Sequence, residues 1–413
     1  MDAVVLFDPI NSGDPLKQAA SDLGYKVIGI FSCPKSVYET QFHLNEEMLR
    51  RNCDQILFSN DIEEILKQLK NSPFSVRASI AGIDSGVNLA DQVGHALGLP
   101  GNRFDLSSAR RDKGRMREVL KEKGFSCPDF SICDTQEKIL RFVRGHSFPL
   151  VIKTPRGAGT SHVYVCDKQE QVLAGFRAIQ REKNFFGEKT GSAVIESFIG
   201  GNEYVIDTFS DGERAHVTDI WVYEKIQTET FKNIYYSVIS LPLTAPETTP
   251  MQKTAVRIAE AFGVKLGPAH LELKDDPIRG PTLIELGPRL AGARLPQYLR
   301  KYSNFDPYRS TIEVFVKGKI SLPHPIILRK QIAVAFCPLF QKGTIAKISG
   351  IEAIQKLNSY ETHQLYIKVG DSIEPTTHLA TSPLFVFLAH EDRRELLSDL
   401  DAIHRLFQVV CAP

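Results

Sequence analysis

PAHLELKDDPIRGPTLIELGPRLAGAR, residues 268–294, carries the most specific signal in the chain. Glu272 sits between Leu271 and Leu273 of one apolar run, and Glu285 between Ile284 and Leu286 of a second. Both runs read as strands, and Asp275-Asp276-Pro277 supplies a turn between them. The pattern predicts two adjacent antiparallel strands that bring both carboxylates to one side. Two half-buried carboxylates repel each other unless a cation lies between them. Oxygen donors without a histidine–cysteine cluster point to Mg²⁺ shared with substrate phosphates. Arg289 and Arg294 follow closely, and guanidinium groups there suit a bidentate grip on phosphoryl or carboxylate oxygens. The competing reading is structural: two glutamates salt-bridged to those arginines.

Upstream, VIKTPRGAGTSHVYV (151–165) ends a strand on Lys153 and turns through Gly157 and Gly159. Such a turn can lay backbone N–H groups over phosphate oxygens, with Thr160 or Ser161 adding a hydroxyl. It is not a Walker A loop, because the GK[ST] end is missing and a strand follows where a helix should. A tight hairpin that needs its glycines explains the same residues. AVIESFIGGNEYVIDTF (193–209) reads as strand, glycine turn, strand, with Glu196 and Glu203 interrupting apolar runs. A carboxylate is costly there unless paired or liganded, and solvated edge positions are the alternative. RRDKGRMR (110–117) holds four arginines and a lysine at the start of a helix expected over Ser108–Lys123. It is either an anion-binding face or a solvated one. His270 lies on the strand face of Glu272, and His216 on the strand that leads to Trp221; each is a secondary cleft candidate or a packed histidine. No HExxH, GxSxG or GxGxxG occurs.

The chain has 413 residues, enough for two to four domains at about 150 residues each. Fifty basic residues balance 49 acidic ones, so nothing advertises nucleic acid or an anionic membrane as partner. Seven cysteines without a CxxC suit free thiols in a reducing compartment. No apolar stretch approaches the ~20 residues of a membrane span, so a cytoplasmic enzyme is expected. Strand–helix alternation up to residue 105 predicts a parallel α/β domain. An antiparallel-rich α+β part follows to about residue 325. Beyond it, strands expected at Gln364–Val369 and elsewhere, with a helix over Arg393–Val409, predict a C-terminal α+β domain.

Taken in order, these pieces resemble the ATP-grasp superfamily of carboxylate–amine ligases. They are most similar to the ligases that join free L-amino acids into dipeptides. GDPLKQAASDLGYKVIGI (13–30), KISGIEAIQKL (347–357) and VGDSIEPTTHLATSPLFVFLA (369–389) also look like that group. The resemblance implies an N-terminal α/β domain (1–105), a nucleotide-binding core (106–325) with a small lid at about 128–200, and a C-terminal α+β domain (326–413). It implies ATP and Mg²⁺, with Mn²⁺ as a substitute. Lys113 and Lys153 look like the nucleotide lysines. Gly157, Gly159, Thr160 and Ser161 look like the loop that closes on the phosphates. Glu196, Phe198 and Ile199 look like the adenine hinge, Glu203 like the ribose ligand, and Glu272 and Glu285 like the metal ligands. Arg289 looks like the arginine that stabilises the transferred phosphoryl group, with Lys153 and Arg294 as further catalytic candidates. The family pattern Glu-hydrophobic-Asn-x-Arg departs here, because Gly287 stands where Asn is usual. Arg294 adds a charge near the expected amino-acid site. The implied partners are small-molecule amino acids and a second copy of the chain, with no nucleic acid or membrane. Another ATP-grasp ligase or carboxylase, acting on a ribosylamine, bicarbonate or a peptide, is the alternative.

Overall fold

The computed structural model describes residues 1–227 and 233–412. Its first sheet is built from strands that are apolar along their length. β1 (Asp2–Phe7), β2 (Lys26–Phe31), β3 (Gln55–Phe58) and β4 (Ser75–Ala81) pair in parallel in the order β3-β2-β1-β4. β1 and β2 are buried at five of their six positions, as parallel strands covered on both faces must be. The helices α1 (Pro15–Asp22), α2 (Lys35–Gln41), α3 (Glu46–Arg50), α4 (Ile62–Lys70) and α5 (Val87–Ala96) complete the unit. β1 is flanked by β2 on one side and β4 on the other. The carboxyl ends of β1 and β4 therefore frame a topological switch point, the usual ligand crevice of such sheets. Asp84 stands just beyond β4, in a 3₁₀ turn over Asp84–Gly86.

The helix expected from Ser108 is broken. A 3₁₀ turn covers Ser108–Arg110, and α6 (Lys113–Glu122) begins only after Asp112. The Asp112 side chain accepts hydrogen bonds from the backbone N–H groups of Gly114 and Arg115 at 2.9 and 3.1 Å, which caps α6 and makes Lys113 its first residue. Two elements follow that the sequence reading did not name: β5 (Phe130–Cys133) and α7 (Gln136–Gly145). With β6 (Leu150–Lys153), β7 (Val163–Cys166), α8 (Gln169–Arg181) and β8 (Ala193–Ser197), they form a four-stranded antiparallel sheet, β5-β8-β6-β7. Ile139, Phe142, Val172 and Phe176 of the two helices share one core with Ile152 and Ile195 of the sheet.

Among the described residues the largest sheet has eight strands, which end with β18 (Leu384–His390) and β16 (Tyr360–Leu365) in the order β13-β12-β9-β10-β11-β14-β18-β16. It contains β9 (Glu203–Asp211), β10 (Ala215–Ile226), β11 (Ile234–Leu241), β12 (Leu266–Asp276), β13 (Gly280–Gly287) and β14 (Gln331–Phe336). α9 (Thr249–Ala261) packs Met251, Ala255 and Ile258 against Leu271, Leu273 and Leu283 of that sheet. α10 (Leu295–Tyr302) and α11 (Pro307–Lys317) follow β13. β14 pairs with both β11 and β18, so the sheet runs past residue 325 without a break. The remaining elements are β15 (Gly343–Ser349), α12 (Ile351–Ile354), β16 (Tyr360–Leu365), β17 (Ser372–Ile373), β18 (Leu384–His390), α13 (Arg393–Leu406) and β19 (Gln408–Cys411).

Two expectations need correction in this region. The expected strand at Gln364–Val369 is displaced, because the ladder between β16 and β18 starts at Tyr360 and ends at Leu365. The helix expected to reach Val409 stops at Leu406. Phe407 turns extended, and β19 then pairs with β15, so the β-branched pair Val409-Val410 serves a ladder. Among the described residues, no helix is long and apolar enough to cross a membrane.

The turn from β8 to β9 sets the position of Glu203. Gly201 there has φ +80°, and a Cβ would lie 2.0 Å from the Asp275 carbonyl oxygen. Both the backbone region and the close approach require glycine. Gly201→Ala is expected to cost at least about 1 kcal/mol of stability in a denaturant titration; an unchanged midpoint would show that this turn is not constrained.

Candidate active site

β12 and β13 bring Glu272 and Glu285 opposite each other in one antiparallel register. The paired strands thus have the arrangement that the sequence pattern predicts. Both glutamates line one cleft, whose non-atom space is about 910 Å³ with open solvent included. Of the residues named from sequence, Lys113, Lys153, Gly159, Thr160, Glu196, Phe198, Ile199, Glu203 and Arg289 line it too. Gly157 and Ser161 flank the loop without forming the wall. Arg294 stands apart: it has φ +57°, precedes α10, and holds its guanidinium 5.9 Å from the centre of the Phe387 ring.

The wall is organised by buried ion pairs. Glu196 on β8 accepts from Lys153 Nζ at 2.6 Å and from Arg117 Nε at 2.9 Å. Arg117 also donates to the Leu283 and Ile284 carbonyls of β13, at 2.8 and 3.1 Å. Burial alone would raise the Glu196 carboxyl, but the two cations hold it well below the usual range. Burial, with repulsion from Arg117 and Lys113, pushes the Lys153 ammonium down to about 8 against the pull of Glu196. Lys113 donates to Glu285 at 2.8 Å. Glu203 accepts from Lys225 at 2.6 Å, and the Lys225 ammonium lies 4.2 Å from the Tyr235 ring centre. Arg110, Arg111, Lys113 and Arg117 are all buried, as are Glu196 and Glu203. Solvated-face readings of these stretches are therefore excluded.

His270 bonds Asp207 at 2.7 Å and lies 3.6 Å from Glu272. Burial opposes its imidazolium, but the two carboxylates outweigh burial and raise its pKa to about 9. The same contact keeps Glu272 below the usual carboxylate range despite burial. His216 instead pairs with Asp211 at 2.8 Å, at the opposite end of the β9–β10 pair from Glu203. Trp221 is fully buried core and donates its indole N–H to Asp219 at 2.6 Å.

Sequence reasoning missed Asp84, Asp207, Lys225, Asn233 and Lys274. Asp84 matters most. Its Oδ2 accepts from Arg289 Nε and Nη2 at 3.0 and 2.9 Å, linking the first sheet to β13. It also explains Gly287. A Cβ at that position would lie 2.9 Å from Asp84 Oδ1, so a side chain there would require the Asp84 carboxylate to shift. The available signal was AGIDSG, a polar turn at the carboxyl end of a buried parallel strand.

The donor set fits a hard divalent cation. Two carboxylates face each other on the cleft wall, and Mg²⁺ is commonly held by one or two carboxylates together with water and substrate phosphates. Among the described residues, no three His, Cys, Asp or Glu side chains converge as a metal-binding group. Glu272 and Glu285 would thus hold such an ion together with its other ligand.

Paired glutamates, converging lysines and an arginine line a cleft between the four-stranded antiparallel sheet and the larger one, a chemistry suited to a phosphorylated ligand. Residues 146–297 match the sequence model of the ATP-grasp domain. Dapdiamide A synthase of Enterobacter agglomerans is 28% identical over 73% of this chain and 70% of its own. The L-arginine-specific L-amino acid ligase of Bacillus subtilis is 23% identical over 81% of this chain and 84% of its own. The carbamoyl phosphate synthase large chain of Neisseria meningitidis serogroup B is 24% identical over 68% of this chain, which spans only 26% of that protein. Among solved structures, an L-amino acid ligase from Bacillus licheniformis shares the fold with a TM-score of 0.81, covering 100% of this chain and 99% of its own at 20% identity. N5-carboxyaminoimidazole ribonucleotide synthetase from Thermotoga maritima shares it at 0.65, covering 100% of both chains at 15% identity. Residues 146–297 thus carry an ATP-grasp domain, set in a chain whose whole fold is shared with that of the L-amino acid ligase structure.

Two outcomes follow from the buried charges. Glu196→Gln leaves Arg117 and Lys153 without their shared anion, and is expected to cost about 3–5 kcal/mol in denaturant unfolding; a loss below 1 kcal/mol would deny the triad its structural weight. Lys153 is charged below about pH 8 in the free protein. The rate at limiting ATP should therefore fall as pH rises through about 8, and Lys153→Arg should lack that limb. A wild-type profile that stays flat through this range would contradict the assignment.

Proposed function

We propose that this protein joins the carboxylate of one amino acid to the amine of a second, spending ATP and releasing ADP and phosphate. The observation that carries the reading is the convergence of Glu272, Glu285, Lys113, Lys153 and Arg289 on one cleft wall. The sequence relatives named for dapdiamide A and for L-amino acid ligation support the substrate class. On this reading the functional units divide near residues 105 and 325, with the lid at about 128–200.

The chemistry follows from charge. A carboxylate that attacks the γ-phosphate of ATP creates an acylphosphate, and the free amine of the acceptor then displaces phosphate from the acyl carbon. Negative charge accumulates on the phosphoryl oxygens, and a pre-set cation there stabilises it without reorganisation. Lys153, held by Glu196, supplies one such cation, and Lys113 at the start of α6 a second. Arg289, fixed by Asp84, presents a guanidinium on the side where β13 meets the first sheet. A bound Mg²⁺ would supply Lewis-acid neutralisation of phosphate oxygens, held by Glu272 and Glu285. Phe198, Ile199 and Glu203 are assigned to the adenosine end. The glycine turn 157–161 is assigned to covering the phosphates, which limits hydrolysis of the acylphosphate. Arg294 is assigned to the substrate side, outside the nucleotide wall, and the Asn normally expected at position 287 is given up to make room for Asp84.

A second reading has at least as much behind it: a ligase or carboxylase of the same superfamily acting on bicarbonate, a ribosylamine or a peptide. Likeness to carbamoyl phosphate synthase and to N5-carboxyaminoimidazole ribonucleotide synthetase favours it. Phosphate release measured with ATP, Mg²⁺ and pairs of amino acids separates the two. Release that needs two amino acids, with a product of their condensed mass, is expected. Release with bicarbonate or a phosphosugar amine, and none with amino acids, would replace the first reading with the second. Under both, Glu285→Gln should lower turnover at least about 100-fold.

A further inference from the structure

Arg111 is a buried guanidinium that none of the roles above uses. It is 5% exposed. Its Nη1 donates to the Gly157 carbonyl at a long 3.4 Å, and its enclosed Nη2 meets no acceptor. The Phe186 ring lies 4.9 Å from the guanidinium carbon. Phe186 belongs to a turn in the lid that Asn184 shapes, accepting from the Phe186 and Glu188 N–H groups and donating to the Arg156 carbonyl. The same phenylalanine packs with Ile10, Cys33, Val37 and Tyr38 of the first sheet and its loops. A lid residue wedged into the N-terminal unit thus helps strip water from Arg111.

The neighbouring cations are all paired. Arg117 and Lys153 share Glu196, Lys113 has Glu285, and Arg289 has Asp84. Among the described residues, Arg111 has no carboxylate in contact. It lies within electrostatic reach of Asp84, whose carboxyl burial would raise but which Arg289 and Arg111 together hold low. A dry guanidinium with no carboxylate in contact is expensive, and a buried donor without an acceptor asks for a ligand. Arg111 stands just behind the cleft wall, which is formed there by Ala158, Gly159 and Thr160 beside its carbonyl partner, and by Lys113 and Asp84. Among the described residues, its hydrogen-bond and ring partners are Gly157 and Phe186, not Phe198, Ile199 or Glu203 at the adenosine end.

We infer that Arg111 binds an oxyanion at the phosphoryl end of the nucleotide: the terminal phosphate before transfer and the acylphosphate after it. The inference rests on the ATP-binding reading above. The test is affinity for the β,γ-methylene analogue of ATP against affinity for ADP, by calorimetry on the whole chain. Arg111→Met keeps an unbranched stem against Phe186 and removes the charge. It should weaken the ATP analogue by about tenfold or more, as loss of a charge-assisted hydrogen bond does, and change ADP by less than about threefold. If Arg111→Met does not fold, Arg111→Lys replaces it, with a smaller loss again confined to the ATP analogue. Equal losses for both ligands, or none for either, would overturn the inference while leaving ATP binding intact. A wild-type protein that binds neither ligand would instead remove the nucleotide reading itself.

Discussion

Glu196 is the anion on which the site depends. It is buried on the central pair of the lid sheet, where β8 lies between β5 and β6, and it carries two cations from different parts of the chain. Arg117 brings α6, and through its carbonyl bonds β13, against the lid. Lys153 brings the strand that leads into the glycine turn. One carboxylate thereby ties the lid, the helix bearing Lys113 and the strand bearing Glu285 to a common point. Such an arrangement is costly in desolvation and repays it only when every donor and acceptor is placed. The return is positional: cations fixed before any phosphate arrives.

A second tie joins the first sheet to the same wall. Asp84 reaches Arg289 from the switch point of the parallel sheet, and Phe186 enters the reverse way from the lid. The three structural parts therefore meet around one cleft through side chains. This is how a nearly neutral chain gathers cations, and the carboxylates that hold them, around one cleft. Gly287 belongs to the same tie, since any side chain there would press on the Asp84–Arg289 pair.

Much of this was legible in the residues. Glu272 and Glu285 could be read as opposite one another because strand alternation and one turn constrain their register. The parallel first sheet could be read from uninterrupted apolar runs. What escaped reading depends on contacts distant in sequence. Asp84 is a turn residue until Arg289, 205 positions on, gives it a role. Arg117 could be read as anion-binding or as solvated charge, although its spacing of four from Lys113 already put both on one helix face. β5 escaped because four residues show too little alternation to read as a strand, and α7 escaped although Ile139, Phe142 and Val143 recur at helical spacing. The end of α13 was missed because Val409 and Val410 suit either a helix face or an edge ladder until β15 is present to pair with them.

The central claim is that a carboxylate is activated by phosphoryl transfer from ATP in this cleft. Turnover with a donor whose carboxylate carries ¹⁸O tests it directly, with the released phosphate read by mass spectrometry. The account predicts one ¹⁸O atom in each phosphate, delivered as the acylphosphate is broken by the amine. Phosphate released without label would mean that ATP is merely hydrolysed or that the carboxylate is activated by another route, and would contradict the account.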